Sequence, residues 1–399
     1  MNRHTPFADN PALPKPILVT GDAQLHAMLQ AFAGQPAVAV DTESNSLYAY
    51  YEHICLIQFT GRDNDYIVDP LMELDMAALG AFFADPTVQK VFHAAEQDVA
   101  GMRRDFGFEF ANLFDTMWAA RILGWPQLGL GSLLWEHFGV RTDKRYQRHN
   151  WGERPIQPDA LTYARLDTHY LLALRDVQTQ ELEQMGRSEE AAEVFAQIAQ
   201  TPTADVSFCE HMFWRIKGIQ HLSKQEQAIL WQLYLWRDEE AQRRDRPPFK
   251  IVGDRTLVEL ARRRPRTFRE IDGIYGLKTY HTRRYGSQIL QAISKGEGAQ
   301  VPDAPTPNRR HTDAEADRFR ALRAWRKRKA AGRKVTSDVV LPNAVLWEVA
   351  EKNPATLADL EHIDSLGPWK RKTYGKDILR VIRPDTAPKR QKKKTGKEM

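Results

Sequence analysis

The sequence predicts an α/β domain, a mixed sheet flanked by helices, followed by two small all-α domains that are copies of one module. Two observations predict it. Up to about residue 200, short apolar segments rich in β-branched and aromatic residues are interspersed with helical patterns. Beyond that point the pattern is helical throughout, and it repeats at a constant offset of 89 residues (Leu233 and Leu322, for example).

In order along the chain, Ile17–Thr20 reads as a strand and Asp22–Ala33 as a helix. Ala37–Val40, Ile54–Phe59, Tyr66–Val68 and Lys90–Phe92 are too short for helices and have strand composition. Helical spacing then covers Ala95–Asp105, Asp115–Ile122 and Asp159–Glu183, so helices packed on a mixed sheet are the natural arrangement. In the second half the offset pairs Leu233 with Leu322, Trp236 with Trp325 and Arg237 with Arg326. It continues through Leu257/Leu346, Pro265/Pro354, Tyr285-Gly286/Tyr374-Gly375 and Ile293/Ile382. The expected units are 1–200, 207–297 and 313–383, with a linker at 298–312 containing Pro302, Pro305 and Pro307. A basic tail without structure-forming composition follows at 384–399.

The net charge of +5 conceals a division. Residues 1–200 hold 15 Lys and Arg against 27 Asp and Glu, whereas 201–399 hold 42 against 25. A basic half suits a polyanionic partner, and an acidic half makes sense if metal ions neutralise some of its carboxylates. Cys55 and Cys209 are far apart and form no CxxC, which argues against a disulfide framework and a zinc site. No apolar run reaches membrane-spanning length and the N-terminus lacks a signal-peptide core, so a soluble cytoplasmic protein is expected.

Three acidic segments carry the chemistry. In Val40-Asp41-Thr42-Glu43 strand alternation puts both acids on one face. In His93-Ala94-Ala95-Glu96-Gln97-Asp98 a strand runs into a helix with Asp98 about one turn in. Tyr163 and Asp167 are four apart, hence on one helix face, and that helix is expected to continue through Tyr170–Leu174. Each segment alone has an ordinary explanation: a strand ending in solvent, a first-turn acid, a hydrogen-bonded pair.

Together and in this order, D-x-E, H-x-A-x-x-D and Y-x-x-x-D resemble the three motifs of the DEDD exonuclease superfamily in its tyrosine subclass, with a ribonuclease H-like fold. Tyr50-Tyr51, Leu56-Ile57-Gln58, Phe114-Asp115-Thr116, Lys144, Gln147, Trp151 and Arg154-Pro155 narrow the resemblance to the ribonuclease D family over about Ile17 to Leu182. The first repeat, with Trp236-Arg237-Asp238 and Asp245-Arg246-Pro247-Pro248, resembles the HRDC domain, and the second is a diverged copy with Asn343 at the position of Asp254. The resemblance implies Asp41, Glu43, Asp98 and Asp167 as ligands of two divalent ions, Mg²⁺ or Mn²⁺, with Tyr163 orienting the attacking water. It implies 3′→5′ release of 5′-mononucleotides from RNA with a free 3′ end, with tRNA precursors the expected substrate, and a monomer is the simplest assembly. Ser44-Asn45-Ser46 and Arg148-His149-Asn150 depart from what relatives commonly carry, and bear on contacts to the terminal nucleotide. His93, Gln147 and Trp151 are candidate substrate contacts. So are basic residues of the first repeat: Arg243, Arg244, Arg262–Arg264, Arg283 and Arg284. The competing readings are a DNA exonuclease, since this chemistry does not itself read the sugar, and an inactive RNA-binding adaptor.

Overall fold

The computed structural model describes residues 13–142, 145–203, 208, 210–304 and 311–383. Lys144, Cys209, Pro305, Pro307 and the basic tail from Pro384 lie outside them. The first half runs β1 (Ile17–Val19), α1 (Asp22–Phe32), β2 (Ala37–Ser44), β3 (Ile54–Thr60), β4 (Asp65–Val68), α2 (Met76–Ala84), β5 (Gln89–Phe92). It continues α3 (Glu96–Phe106), β6 (Leu113–Asp115), α4 (Thr116–Leu123), α5 (Leu130–Phe138), α6 (Pro158–His169), α7 (Leu171–Gln184), α8 (Ser188–Ala199). The strands form one mixed sheet in the order β1-β4-β3-β2-β5-β6, with β3 antiparallel to both its neighbours and the other pairs parallel. β3 is buried along its whole length, which is why it reads as an apolar run, interrupted only by the buried Gln58 and Thr60, and not as an alternation.

Two elements differ from the sequence expectation. Asp115 ends strand β6 instead of starting a helix. Its carboxylate accepts from the backbone N–H of Trp118 at 2.9 Å, capping α4, and from that of Ala95 at 2.7 Å. The helix expected over Asp159–Glu183 breaks at Tyr170 (φ −100°, ψ −1°) into α6 and α7. Apolar residues run on across the junction, so hydrophobic spacing carries no mark of the break.

One feature of the sheet positions the chemistry. β5 pairs with β2 only through Ala37–Ala39. The stretch Asp41–Ser44 therefore has β3 on one side and an open edge on the other, where the first turn of α3 arrives.

The second half consists of two three-helix units that match at the predicted offset. Each has an opening helix (Lys224–Arg243; Asp313–Arg333), a middle helix (Asp254–Arg263; Asn343–Lys352) and a closing helix (Thr279–Glu297; Pro368–Ile382). Arg237 donates to the carbonyl of Val252 at 3.0 Å and to Asp254 at 2.6 Å. Arg326 repeats this with Leu341 at 2.6 Å and Asn343 at 2.8 Å. Asn343 thus keeps the acceptor that Asp254 supplies while giving up its charge. The Trp236–Tyr285 and Trp325–Tyr374 rings meet edge-on at 5.8 and 5.7 Å.

Both repeats dock on the α/β domain around the end of their opening helix and the turn that follows it. In the first, Asp245 accepts from the N–H groups of Tyr50 (2.9 Å) and Tyr51 (3.3 Å), and Lys250 lies 3.7 Å from the ring centroid of Tyr48. In the second, Val335 and Val339 pack into the α/β core, and Arg333 reaches Glu190 of α8 at 2.9 Å. Among the described residues no helix is long and apolar enough to cross a membrane.

Candidate active site

The site is assembled where β2 overhangs its neighbour. Asp41 and Glu43 stand opposite Gln58 and Leu56 in the β2–β3 register, so they share a sheet face with those residues. Helix α6 covers that face, its Ala160 and Ala164 packing with Leu56, Ile67 and Trp151. Two small residues at i, i+4 let the helix approach closely, and Asp167, one turn after Tyr163, is carried to the strand. Carboxylate oxygens of Asp41, Glu43 and Asp167 lie within 4.8 Å of one another. Asp98 comes in from the open strand edge and stands outside that tight trio. Thr42, between the two strand acids, donates to it through both its hydroxyl and its backbone N–H.

Withdrawing these acids from water together is costly for their charged forms. Burial, then the charges of Asp98, Asp167 and Glu43, push the Asp41 carboxyl well above its ordinary range. Burial and the neighbouring Asp167 and Asp98 push Glu43 up to about 9, against the opposing effect of a hydrogen bond from Trp151. Burial likewise raises Asp98 and Asp167 to about 7. A cluster of this kind calls for a cation, and an all-oxygen donor set suits a hard divalent ion. The residues present therefore fit a divalent metal.

A loop running from Tyr146 to Pro155 closes the site. Trp151, 2% exposed, donates its indole N–H to Glu43 and stacks on Tyr163 at 6.2 Å. Arg154 fastens this loop with a bidentate pair to the buried Asp69 (2.7 and 2.7 Å) and a bond to the Trp151 carbonyl at 2.6 Å. Tyr163 and Asp167 line a groove of about 1000 Å³ together with Gln147, Trp135 and Arg141. Gln147 also borders a smaller cleft of about 210 Å³ with Glu43, Asp98 and Trp151.

Other candidates lie elsewhere. His93 Nδ1 is 2.9 Å from the Thr116 hydroxyl, and burial pushes the ring down to about 4, so it is neutral at pH 7. It lines neither the groove nor the cleft. Arg243 and Arg244 both pair with Glu240, and Arg262 and Arg263 with Glu259. Arg264 adopts a left-handed backbone and donates to Gln225. Arg283 and Arg284 are exposed on the closing helix of the first repeat. Thr42, Asp69, Trp135 and Arg141 join the site without having stood out in the sequence. Thr42 sits inside the D-x-E motif, but its bond to Asp98 depends on β5 stopping short, which no local pattern encodes.

Comparisons with known proteins agree with this geometry. The family described as 3′-5′ exonuclease matches residues 16–183, and the HRDC domain family matches 226–293 and again 315–382. Ribonuclease D of Acidiphilium cryptum is 28% identical over 375 residues, covering 93% of this chain and 94% of that one. The crystal structure of Escherichia coli RNase D superposes with a TM-score of 0.65 at 22% identity, covering 93% of this chain and all of that one. The catalytic core of RRP6 from Trypanosoma brucei gives 0.63 at 26% identity, over 74% of this chain and 83% of that one. Fold, acidic site and repeats together define a 3′→5′ exonuclease with tandem HRDC domains. Within that class the chain is a ribonuclease D-like exoribonuclease, similar over more than nine-tenths of its length to three bacterial ribonuclease D proteins.

Proposed function

We propose that this chain hydrolyses RNA one nucleotide at a time from a free 3′ end, releasing 5′-mononucleotides, with two divalent cations held by Asp41, Glu43, Asp98 and Asp167. The observation that carries the reading is the convergence of three desolvated carboxylates within 4.8 Å beside a fourth that Thr42 holds in place. Mg²⁺ or Mn²⁺ bound there would supply Lewis acidity to activate water and to stabilise the departing 3′ oxygen. The chain's own residues do the rest. The Tyr163 hydroxyl, which lines the groove with Asp167, orients the attacking water. Trp151 fixes the Glu43 carboxylate, and Gln147, bordering both the groove and the cleft, contacts the terminal nucleotide. Trp135, 42% exposed with the Arg141 guanidinium 4.8 Å from its ring, offers a stacking surface for the strand behind the terminal nucleotide.

His93, paired with Thr116, lies off the groove and the cleft and is not assigned a substrate contact, whereas Arg283 and Arg284 are surface contacts for RNA. Arg243 and Arg244 reach RNA only if they leave Glu240. The working unit is proposed to be a cytoplasmic monomer divided at 1–200, 207–297 and 313–383, acting on 3′-extended tRNA precursors as its family implies. A radiolabelled tRNA carrying a 3′ extension tests this. Products should shorten one nucleotide at a time, with 5′-mononucleotide released and the reaction halted by a chelator. Internal cuts, or faster cleavage of a matched DNA oligonucleotide, would overturn it.

A further inference from the structure

Each repeat holds a crevice between its opening and closing helices, floored by Trp236 in the first and Trp325 in the second. The two crevices are the same place in the module, because their lining residues correspond at the offset of 89. Their charge is not the same. Glu239 and Glu240 of the first become Arg328 and Lys329 in the second, and Gln291 becomes Arg380. Arg243 becomes Gly332, which has open space where a side chain would begin, and the crevice widens from about 320 to about 460 Å³. The one acid gained, Asp377 in place of Gln288, lies 2.8 Å from Lys329 and 3.3 Å from Arg380, so it ties these two cations to the closing helix at the crevice. Arg328 is exposed beside them.

The Glu240-to-Lys329 exchange has a second consequence. In the first repeat Arg244 folds back on Glu240 of its own helix. Its counterpart Arg333 meets a lysine there and pairs instead with Glu190 of the α/β domain, while also bonding Tyr374 of its own repeat. The same exchange thus contributes both to the docking of the second repeat on the α/β domain and to the basic character of its crevice.

We propose that the crevice of the second repeat binds phosphate groups of the RNA strand through Arg328, Lys329 and Arg380, while the crevice of the first, where Arg243 and Lys295 offset Glu239 and Glu240, does not. The inference rests on the reading of the chain as an RNA exonuclease and adds an RNA-binding site remote in sequence from the catalytic acids. The test measures binding of a fluorescent 20-nucleotide single-stranded RNA by the full chain in EDTA, across a range of salt. Arg328→Glu with Arg380→Glu should weaken binding about tenfold and flatten the salt dependence, by roughly 0.7 in log–log slope for each phosphate no longer neutralised. Arg266→Glu with Arg269→Glu, on exposed sites of the first repeat, changes net charge equally and should leave affinity within about twofold. Cleavage of a dinucleotide should stay unchanged in both variants, which separates this proposal from the catalytic reading. Unchanged affinity and slope in the first variant, or equal losses in the two, would overturn it.

Discussion

At the scale of single residues the controlling fact is that four acids share a desolvated space. Glu43 at about 9, with Asp98 and Asp167 at about 7, sit above the ordinary carboxylate values near 4. Without a cation the native chain thus holds protons that the unfolded chain has released. Stability of the metal-free protein then falls as pH rises from about 4 through these values. Two other groups act oppositely. His93, depressed to about 4, favours folding increasingly up to its ordinary value near 6.5, and Lys90, lowered to about 8, does so above that pH. The comparison with Glu43→Gln removes both. In EDTA, the thermal midpoint of the native chain should drop relative to Glu43→Gln between pH 6 and 8.5, and Mn²⁺ should reverse the drop. Parallel profiles for the two proteins would show that Glu43 does not hold a raised value.

At the scale of elements, the site depends on two supports that contribute no ligand. One is the Arg154–Asp69 pair that anchors the Trp151 loop. Arg154→Lys keeps the charge but loses the bidentate geometry, and Asp69 is buried. We expect kcat to fall roughly tenfold with KM little changed and the thermal midpoint to drop by a few degrees. An unchanged kcat would show that Trp151 needs no such anchor. The other is the early end of β5, which leaves Thr42 free to hold Asp98. These supports show what the sequence could and could not tell. The shared face of Asp41 and Glu43 was legible because strand alternation is local, and that of Tyr163 and Asp167 because helix spacing is local, while their roles came from the resemblance of the three motifs together. The 89-residue repeat was legible in the matching positions of Arg237 and Arg326, but the bonds these two make were not. Asp69 was not, since nothing near it signals a partner 85 residues away. The break at Tyr170 was not, since burial continues on both sides. Nor was strand β6, whose three residues are too few to show a period.

At the scale of the whole molecule, one module has been used twice with different surfaces. The first copy meets the loop beyond β2 through Asp238 and Asp245. The second is seated more deeply, with Val339 in the α/β core and Glu190 and Lys370 almost wholly buried. At its edge Gly124 adopts a left-handed backbone (φ 81°) against the carbonyl of Lys334. Gly124→Ala should therefore cost more than the roughly 1–2 kcal/mol of left-handed strain alone. Gly139→Ala, at φ 70° with open space around it, supplies that baseline. Limited proteolysis should release the second repeat faster from the Gly124 variant, and equal rates would mean that this close approach contributes nothing. The proposed functions divide along the same line, with chemistry in the α/β domain and much of the grip on RNA outside it. Asp41→Asn, assayed in parallel for nucleotide release and for RNA binding, tests that division of labour. Release should fall about a thousandfold or more, a loss of several kcal/mol of transition-state stabilisation, while affinity stays within about twofold. Nucleotide release at the wild-type rate would refute the assignment of the metal site.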